Sequence, residues 1–319
     1  MNPPRLEIVF MKKIGILTLG LLAATMGLPG SVSAQPAPDV HELDFDRPES
    51  WAMARTISLT LFTAMGHSPG APLVTSPQTE FSLEAGWIPH LSRAERTVGF
   101  DGTEAIDLNK FPVIGRLRFN VYFPRGITLE TGLIPPLEMS GTRPAIVGLA
   151  VGWRGQVAEG VRGFARIHGQ RGHVRGDIVC PQEAAANRTD PELNPLRCQR
   201  PSRDQASPDY VGVEVGATRA FGPWIPHLAA SVQRMEPKFE ISAQFRDPDT
   251  LELVDERGRL ETQGTGWSMS AGVTRDVVPG LPVTMEVLYA PLNVRRTEGA
   301  ERTREGVWNM RLILRHGVG

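Results

Sequence analysis

The sequence predicts an all-β fold: a closed antiparallel up-and-down transmembrane β-barrel of about ten strands, or twelve, with a short N-terminal helical segment. Three observations predict it. Short segments that alternate apolar and polar residues recur from residue 79 onward. The links between them alternate between short and long. The N-terminus has the make-up of a secretory leader.

The leader comes first in the chain. Lys12 and Lys13 precede the apolar run Ile14 to Leu28, and Val32-Ser33-Ala34 supplies the small residues of a cleavage site. Residues 1–34 are therefore expected to be a signal peptide, translated from Met1 or Met11 and cleaved near Ala34. The apolar run is too short, and too broken by Gly27 and Pro29, for a spanning helix. Of the 319 residues, 41% are apolar and 22% charged, and the net charge is −1, which excludes a disordered chain. With 33 Gly and 27 Pro, coiled coils and bundles of spanning helices are excluded too. No basic excess exists to neutralise phosphates, so nucleic acid is not an expected partner. After the leader, Lys110 and Lys238 are the remaining lysines, so arginine, the cation suited to forked pairing with carboxylates, carries the positive charge.

Residues 35–78 are read as a periplasmic leader. Asp46-Arg47-Pro48-Glu49-Ser50 offers a helix start, and Trp51 to Met65 reads either as a short helix or as an extra strand, since Ile57, Leu59 and Leu61 alternate with Ser58 and Thr60. The barrel is expected over 79–319.

Ten strands follow. Phe81, Leu83, Ala85 and Trp87 oppose Glu80, Ser82 and Glu84. Val113, Leu117, Phe119 and Val121 oppose Arg116, Arg118 and Asn120. Leu129 and Leu133 oppose Glu130, and Val147 to Trp153 oppose Gly148, Ala150, Gly152 and Arg154. Ala165 and Ile167 oppose Arg162, Arg166 and His168, with Phe164 as an exception. Val211, Val213 and Val215 oppose Tyr210 and Glu214, and Trp224, Leu228 and Val232 oppose His227, Ser231 and Gln233. Trp267 and Met269 oppose Ser268, Met285 and Val287 oppose Glu286, and Trp308, Met310 and Leu312 oppose Asn309, Arg311 and Arg315. Short links at 124–126, 155–159, 222–223 and 276–281 alternate with long ones near 89–110, 137–144, 171–207, 243–261 and 296–306.

An even number of alternating segments with tight turns at one rim and long loops at the other resembles a Gram-negative outer-membrane β-barrel over residues 79 to 317. Barrels of that kind end on an aromatic residue, whereas this chain ends His316-Gly317-Val318-Gly319. The resemblance implies an outer-membrane location, with lipid against the apolar rows, polar residues inside, and Trp87, Trp153, Trp224, Trp267, Tyr289 and Trp308 as an interfacial girdle. A soluble barrel or sandwich would turn the same rows the other way.

The interior charges are the candidate site. Glu80 and Glu84 (first strand), Glu130 (third), Glu214 (sixth) and Glu286 (ninth) each neighbour a strand bearing Arg116 and Arg118, Arg162 and Arg166, or Arg311 and Arg315. Opposite charges therefore meet across strands. They can fill a narrow lumen, or select an anionic solute. The first arrangement gives a structural or binding barrel that acts through its loops, with an unidentified protein partner on one side of the membrane. The second gives a narrow transporter of a small solute. A barrel enzyme is the third class, with His168 as its candidate residue; no HExxH, nucleophile elbow or metal-ligand spacing occurs, so no metal or cofactor is expected.

Cys180 and Cys198 lie in a polar, Pro-rich loop of the exported part, where one disulfide closing about 19 residues would contribute roughly 3 kcal/mol. Finally, Trp87-Ile88-Pro89-His90, Leu133-Ile134-Pro135-Pro136, Trp224-Ile225-Pro226-His227 and Tyr289-Ala290-Pro291-Leu292 share a Pro that ends a strand or loosens a ladder.

Overall fold

The computed structural model describes residues 40–42, 76–87, 113–138 and 141–318, apart from 192, 195, 248–249, 262 and 295–302. The expected signal peptide and the Trp51–Met65 element lie outside the described residues.

Ten strands close on themselves: β1 (Gln78–Trp87), β2 (Val113–Tyr122), β3 (Ile127–Ile134), β4 (Thr142–Ala158), β5 (Val161–Gly176), β6 (Tyr210–Arg219), β7 (Trp224–Met235), β8 (Gly264–Val278), β9 (Leu281–Val294) and β10 (Thr303–Val318). Each pairs antiparallel with its chain neighbours. Val318 opposite Thr79 joins β10 to β1, so the barrel is complete, and its two ends meet at the short-turn rim. Closure matters because an unpaired strand edge in hydrocarbon leaves backbone N–H and C=O groups without partners.

The strands alternate because the sequence does. In β1 the row Phe81, Leu83 and Trp87 is exposed while Glu80, Ser82 and Glu84 are buried, and β4 exposes Val147, Leu149, Val151 and Trp153 while burying Ile146 and Ala150. Thus charged side chains lie in the interior and large apolar side chains cover the outside. Water would penalise that outer surface and lipid would not, so the barrel is a transmembrane one. Phe164, the exception in its segment, faces inward beside Arg166 and His168.

The outward tryptophans, with half-buried Tyr289, fall at two heights. Trp153 and Trp224 sit near the short turns, while Trp87, Trp267 and the tilted, contacting pair Tyr289 and Trp308 sit toward the long loops.

The long loops are more regular than their sequence suggests. Segment 171–207 begins with the upper end of β5 and continues into a short helix, Gln182–Ala186, and strands Cys198–Arg200 and Asp204–Ser207. Segment 243–261 belongs to a hairpin of strands Lys238–Arg246 and Leu253–Glu261. Asp204–Ser207 pairs on one side with Val174 to Gly176 of β5 and on the other with Lys238 to Glu240, so the barrel wall continues as a sheet above the rim. Val40–Glu42 pairs in parallel with Arg259 to Glu261 of that hairpin.

Leu149, 57% exposed near mid-height on β4, tests the outward face. Leu149→Arg should destabilise the barrel by about 2–4 kcal/mol when unfolding is measured by urea titration in lipid vesicles. An effect below about 0.5 kcal/mol, the usual cost at a water-facing site, would contradict a lipid-facing position.

Candidate functional site: the charged lumen and the loop platform

The lumen is lined by side chains that the strand register brings into contact. Glu84 stands opposite Arg116 across β1 and β2, Arg166 opposite Glu214 across β5 and β6, and Glu286 opposite Arg311 across β9 and β10. Arg166 holds Glu214 with two parallel bonds, Nε to Oε1 at 2.9 Å and Nη2 to Oε2 at 3.2 Å. Its Nη1 reaches Glu130 Oε2 at 2.8 Å. Arg118 Nη1 lies 3.6 Å from that same oxygen, and Nη2 contacts Glu84. Arg116 completes the row with Nη1 at 4.0 Å from Glu84 and Nη2 donating to Gln170 Oε1 at 3.5 Å. Charges of alternating sign therefore run from β1 to β6.

A second group covers the other side. His227 Nε2 and Glu286 Oε2 are 3.0 Å apart, and Arg311 Nη1 is 3.6 Å from Glu286 Oε1. Arg315 Nη2 donates to Thr284 Oγ1 at 2.9 Å and Thr274 Oγ1 at 3.2 Å, while its Nη1 lies 4.0 Å from Glu80. Glu80 Oε1 accepts from Asn120 at 2.9 Å and from the Tyr122 hydroxyl at 2.8 Å. Arg118 is 1% exposed and Arg315 2%. Arg162 is half-buried toward the short-turn end of β5.

Several of these contacts jump a strand, and in two of them a glycine makes the jump fit. Arg166 on β5 reaches Glu130 on β3 across Gly152 of β4, where a Cβ would stand 2.9 Å from the Arg166 Cβ and 2.8 Å from Thr128 Oγ1. His227 on β7 reaches Glu286 on β9 across Gly272 of β8, which pairs with both; a Cβ there would meet His227 Cε1 at 2.3 Å. Both glycines lie on the wet face in the sequence pattern, where they read only as gaps between charges. Their purpose shows once the register is known.

His168 sits among neutral partners: Nδ1 is 3.2 Å from the Tyr210 hydroxyl and Nε2 is 3.1 Å from Ser231 Oγ. Ser231 also bonds the Val213 carbonyl at 3.0 Å and accepts from Gln233 at 2.7 Å. His168 is 2% exposed and Ser231 5%, so the pair is sequestered within the lumen rather than presented at a rim. The inward Tyr210, Arg154 and Gln233 add to this lining; Arg154 lies over the Tyr122 ring, 4.1 Å from its centroid.

Above the long-loop rim the platform has a small core of its own. Cys180 and Cys198 form a disulfide packed with Ala185 and Ala243, against Val179, Leu196 and Ile241. Buried Asp204 ties the pieces together, accepting from Val179 N at 2.7 Å, Ser202 Oγ at 2.6 Å and Ser242 N at 3.1 Å. Burial raises its carboxyl above the ordinary range, against the opposing pull of these donors. Asn194 bridges to Cys198 with both its amide groups, at 3.0 and 2.7 Å.

No family model matches the sequence, and no curated protein does. Among solved structures the chain is similar to the toluene transporter TodX of Pseudomonas putida, with 12% identity over 87% of this chain and 78% of that one, at a TM-score of 0.32. It is also similar to Neisserial surface protein A, with 9% identity over 76% and 96% of the two chains and a TM-score of 0.28. The outer membrane protease OmpT of Escherichia coli gives 10% identity over 76% and 95%, with a TM-score of 0.34. Similarity at this level leaves function to be argued from the chain's own geometry.

The strand-jumping contact at Gly272 gives a direct test. Gly272→Val should cost about 1–3 kcal/mol in vesicle unfolding by driving His227 off Glu286. Gly258→Val, in the hairpin where an added Cβ meets nothing within 4 Å, should stay within about 0.5 kcal/mol of the parent.

Proposed function

We propose that the protein is an outer-membrane barrel whose lumen is closed by its own Arg/Glu network and which acts as a structural or binding protein through the loop platform on the outer face. The observation that supports this most is the burial of the network. Arg116, Arg118, Arg166, Arg311 and Arg315 and the five glutamates facing them are each no more than 8% exposed. A ten-strand lumen is only slightly wider than one that side chains can fill, and paired guanidiniums and carboxylates are long enough to fill it. The platform supports the other half of the reading. A disulfide, a buried aspartate and a continuous sheet fix its shape, as a surface that meets a partner requires.

A second reading is a narrow pathway for a small anion. It is favoured by one observation: with Arg154 included, the buried guanidiniums of the barrel exceed its buried carboxylates by one among the described residues. Planar-bilayer recording on the reconstituted full chain separates the two. The closed lumen gives no steady conductance steps, and Arg118→Ala opens them. Stable anion-selective steps from the parent chain would overturn the closed-lumen reading in favour of the pathway.

A further inference from the structure

The outer face of β4 and β5 changes character sharply with height. Val147, Leu149, Val151 and Ile167 form an exposed apolar field. On the same face, β5 carries Arg171, level with the top of that field, and then His173 and Arg175 above it at successive outward positions, and β4 carries Arg143. The register sets Arg171 opposite Val147, His173 opposite Ala145 and Arg175 opposite Arg143. Two guanidiniums thus stand side by side across a ladder, an arrangement that is unfavourable on its own.

Their partners do not cancel that charge. Arg143 Nε donates to the Pro136 carbonyl at 3.0 Å, and Arg175 Nε donates to Gln205 Oε1 at 2.8 Å; both acceptors are neutral. Arg171 faces Asp209 at 3.6 Å with its side chain 91% exposed, a contact well screened by water. In each of Arg143 and Arg175 the bond uses Nε and leaves the outer nitrogens for an anion.

Height identifies the surroundings. From Trp153, in the lower girdle, β4 climbs ten residues to Arg143. At about 3.3 Å per residue and a tilt of about 40°, that is about 25 Å, the height of an apolar band in a membrane barrel. Arg143 and Arg175 therefore stand at the opposite interface. At that interface β1, β8, β9 and β10 present Trp87, Trp267, Tyr289 and Trp308, while β4 and β5 present this basic cluster and, among the described residues, no aromatic.

We infer that Arg143, Arg171 and Arg175, with His173 between them, form a binding surface for the phosphorylated headgroup of a lipid in the leaflet beneath the long loops. This rests on the outer-membrane reading above. Phosphate oxygens match the forked donors of arginine, and one phosphate between Arg143 and Arg175 relieves their repulsion. The cluster points outward from the barrel wall and borders the lipid-facing field, so a lipid, whose acyl chains lie along Val147 and Leu149 while its headgroup meets the arginines, is favoured over a soluble anion.

The test uses the refolded full chain in detergent micelles, titrated with lipid A carrying its phosphates or with the same lipid enzymatically dephosphorylated, and reads retained lipid by native mass spectrometry. The parent chain should retain the phosphorylated form at least about tenfold better. Arg143→Gln with Arg175→Gln should remove that preference, while Arg200→Gln with Arg257→Gln, the same loss of charge in the platform, should keep it. Arg175→Gln alone is the second variant, expected to lose about half of the preference on a logarithmic scale. Heat-modifiable gel migration verifies that each variant is a closed barrel, and its absence in the parent would defeat the membrane reading instead. Equal retention of the two lipids, an unchanged preference in the folded variants, or complete displacement by millimolar inorganic phosphate would overturn the lipid surface.

Discussion

An ion enclosed in a protein away from water is costly unless an opposite charge and further hydrogen bonds replace its hydration. That constraint governs this barrel. The outer face must be apolar to meet hydrocarbon, and the pleat then sends every alternate side chain inward, into a space that short side chains do not span. Arginine and glutamate meet both demands because they are long and they neutralise each other. The forked bond from Arg166 to Glu214 and the oxygen of Glu130 shared by Arg166 and Arg118 are the places where that mutual support is most complete.

Such a network couples distant parts of the sequence. Glu130 and Arg166 belong to strands that are not paired with each other, and so do His227 and Glu286; each contact ties two ladders together across the floor made by Gly152 or Gly272. The barrel wall is held by backbone bonds, and its interior by side chains that reach over that wall's smallest residues. The same division recurs above the rim, where backbone ladders extend the wall into a sheet while Asp204 and the disulfide fix how the loop lies on it.

Much of this was legible in the sequence, and for a definite reason: a period of two assigns each residue to a face once any one of them is assigned. That logic places Glu80, Arg118, Arg166, Glu286 and Arg315 inside and Leu149, Trp153 and Met310 outside before any coordinates exist. Individual contacts were beyond it. His168 meets Ser231 from two strands away, because the register sets Ser231 beside Glu214 and His227 beside Gly272. The hairpin above the rim was half legible: Phe239, Ile241, Ala243 and Phe245 alternate with polar residues in the strand Lys238–Arg246, but its partner Leu253–Glu261 carries charges on both faces and gives no period. The Asp204 hub could not be read at all, since it depends on segments nearly forty residues apart meeting at one carboxylate.

The central claim is the sidedness of the wall, and the five tryptophans exposed among the described residues, Trp87, Trp153, Trp224, Trp267 and Trp308, report it without mutation. Tryptophan fluorescence of the refolded chain in vesicles whose acyl chains carry bromine should lose most of its intensity, while acrylamide in the aqueous phase should quench it weakly. Strong quenching by acrylamide with no response to the brominated chains would contradict the account, because it would put the apolar rows out of reach of lipid.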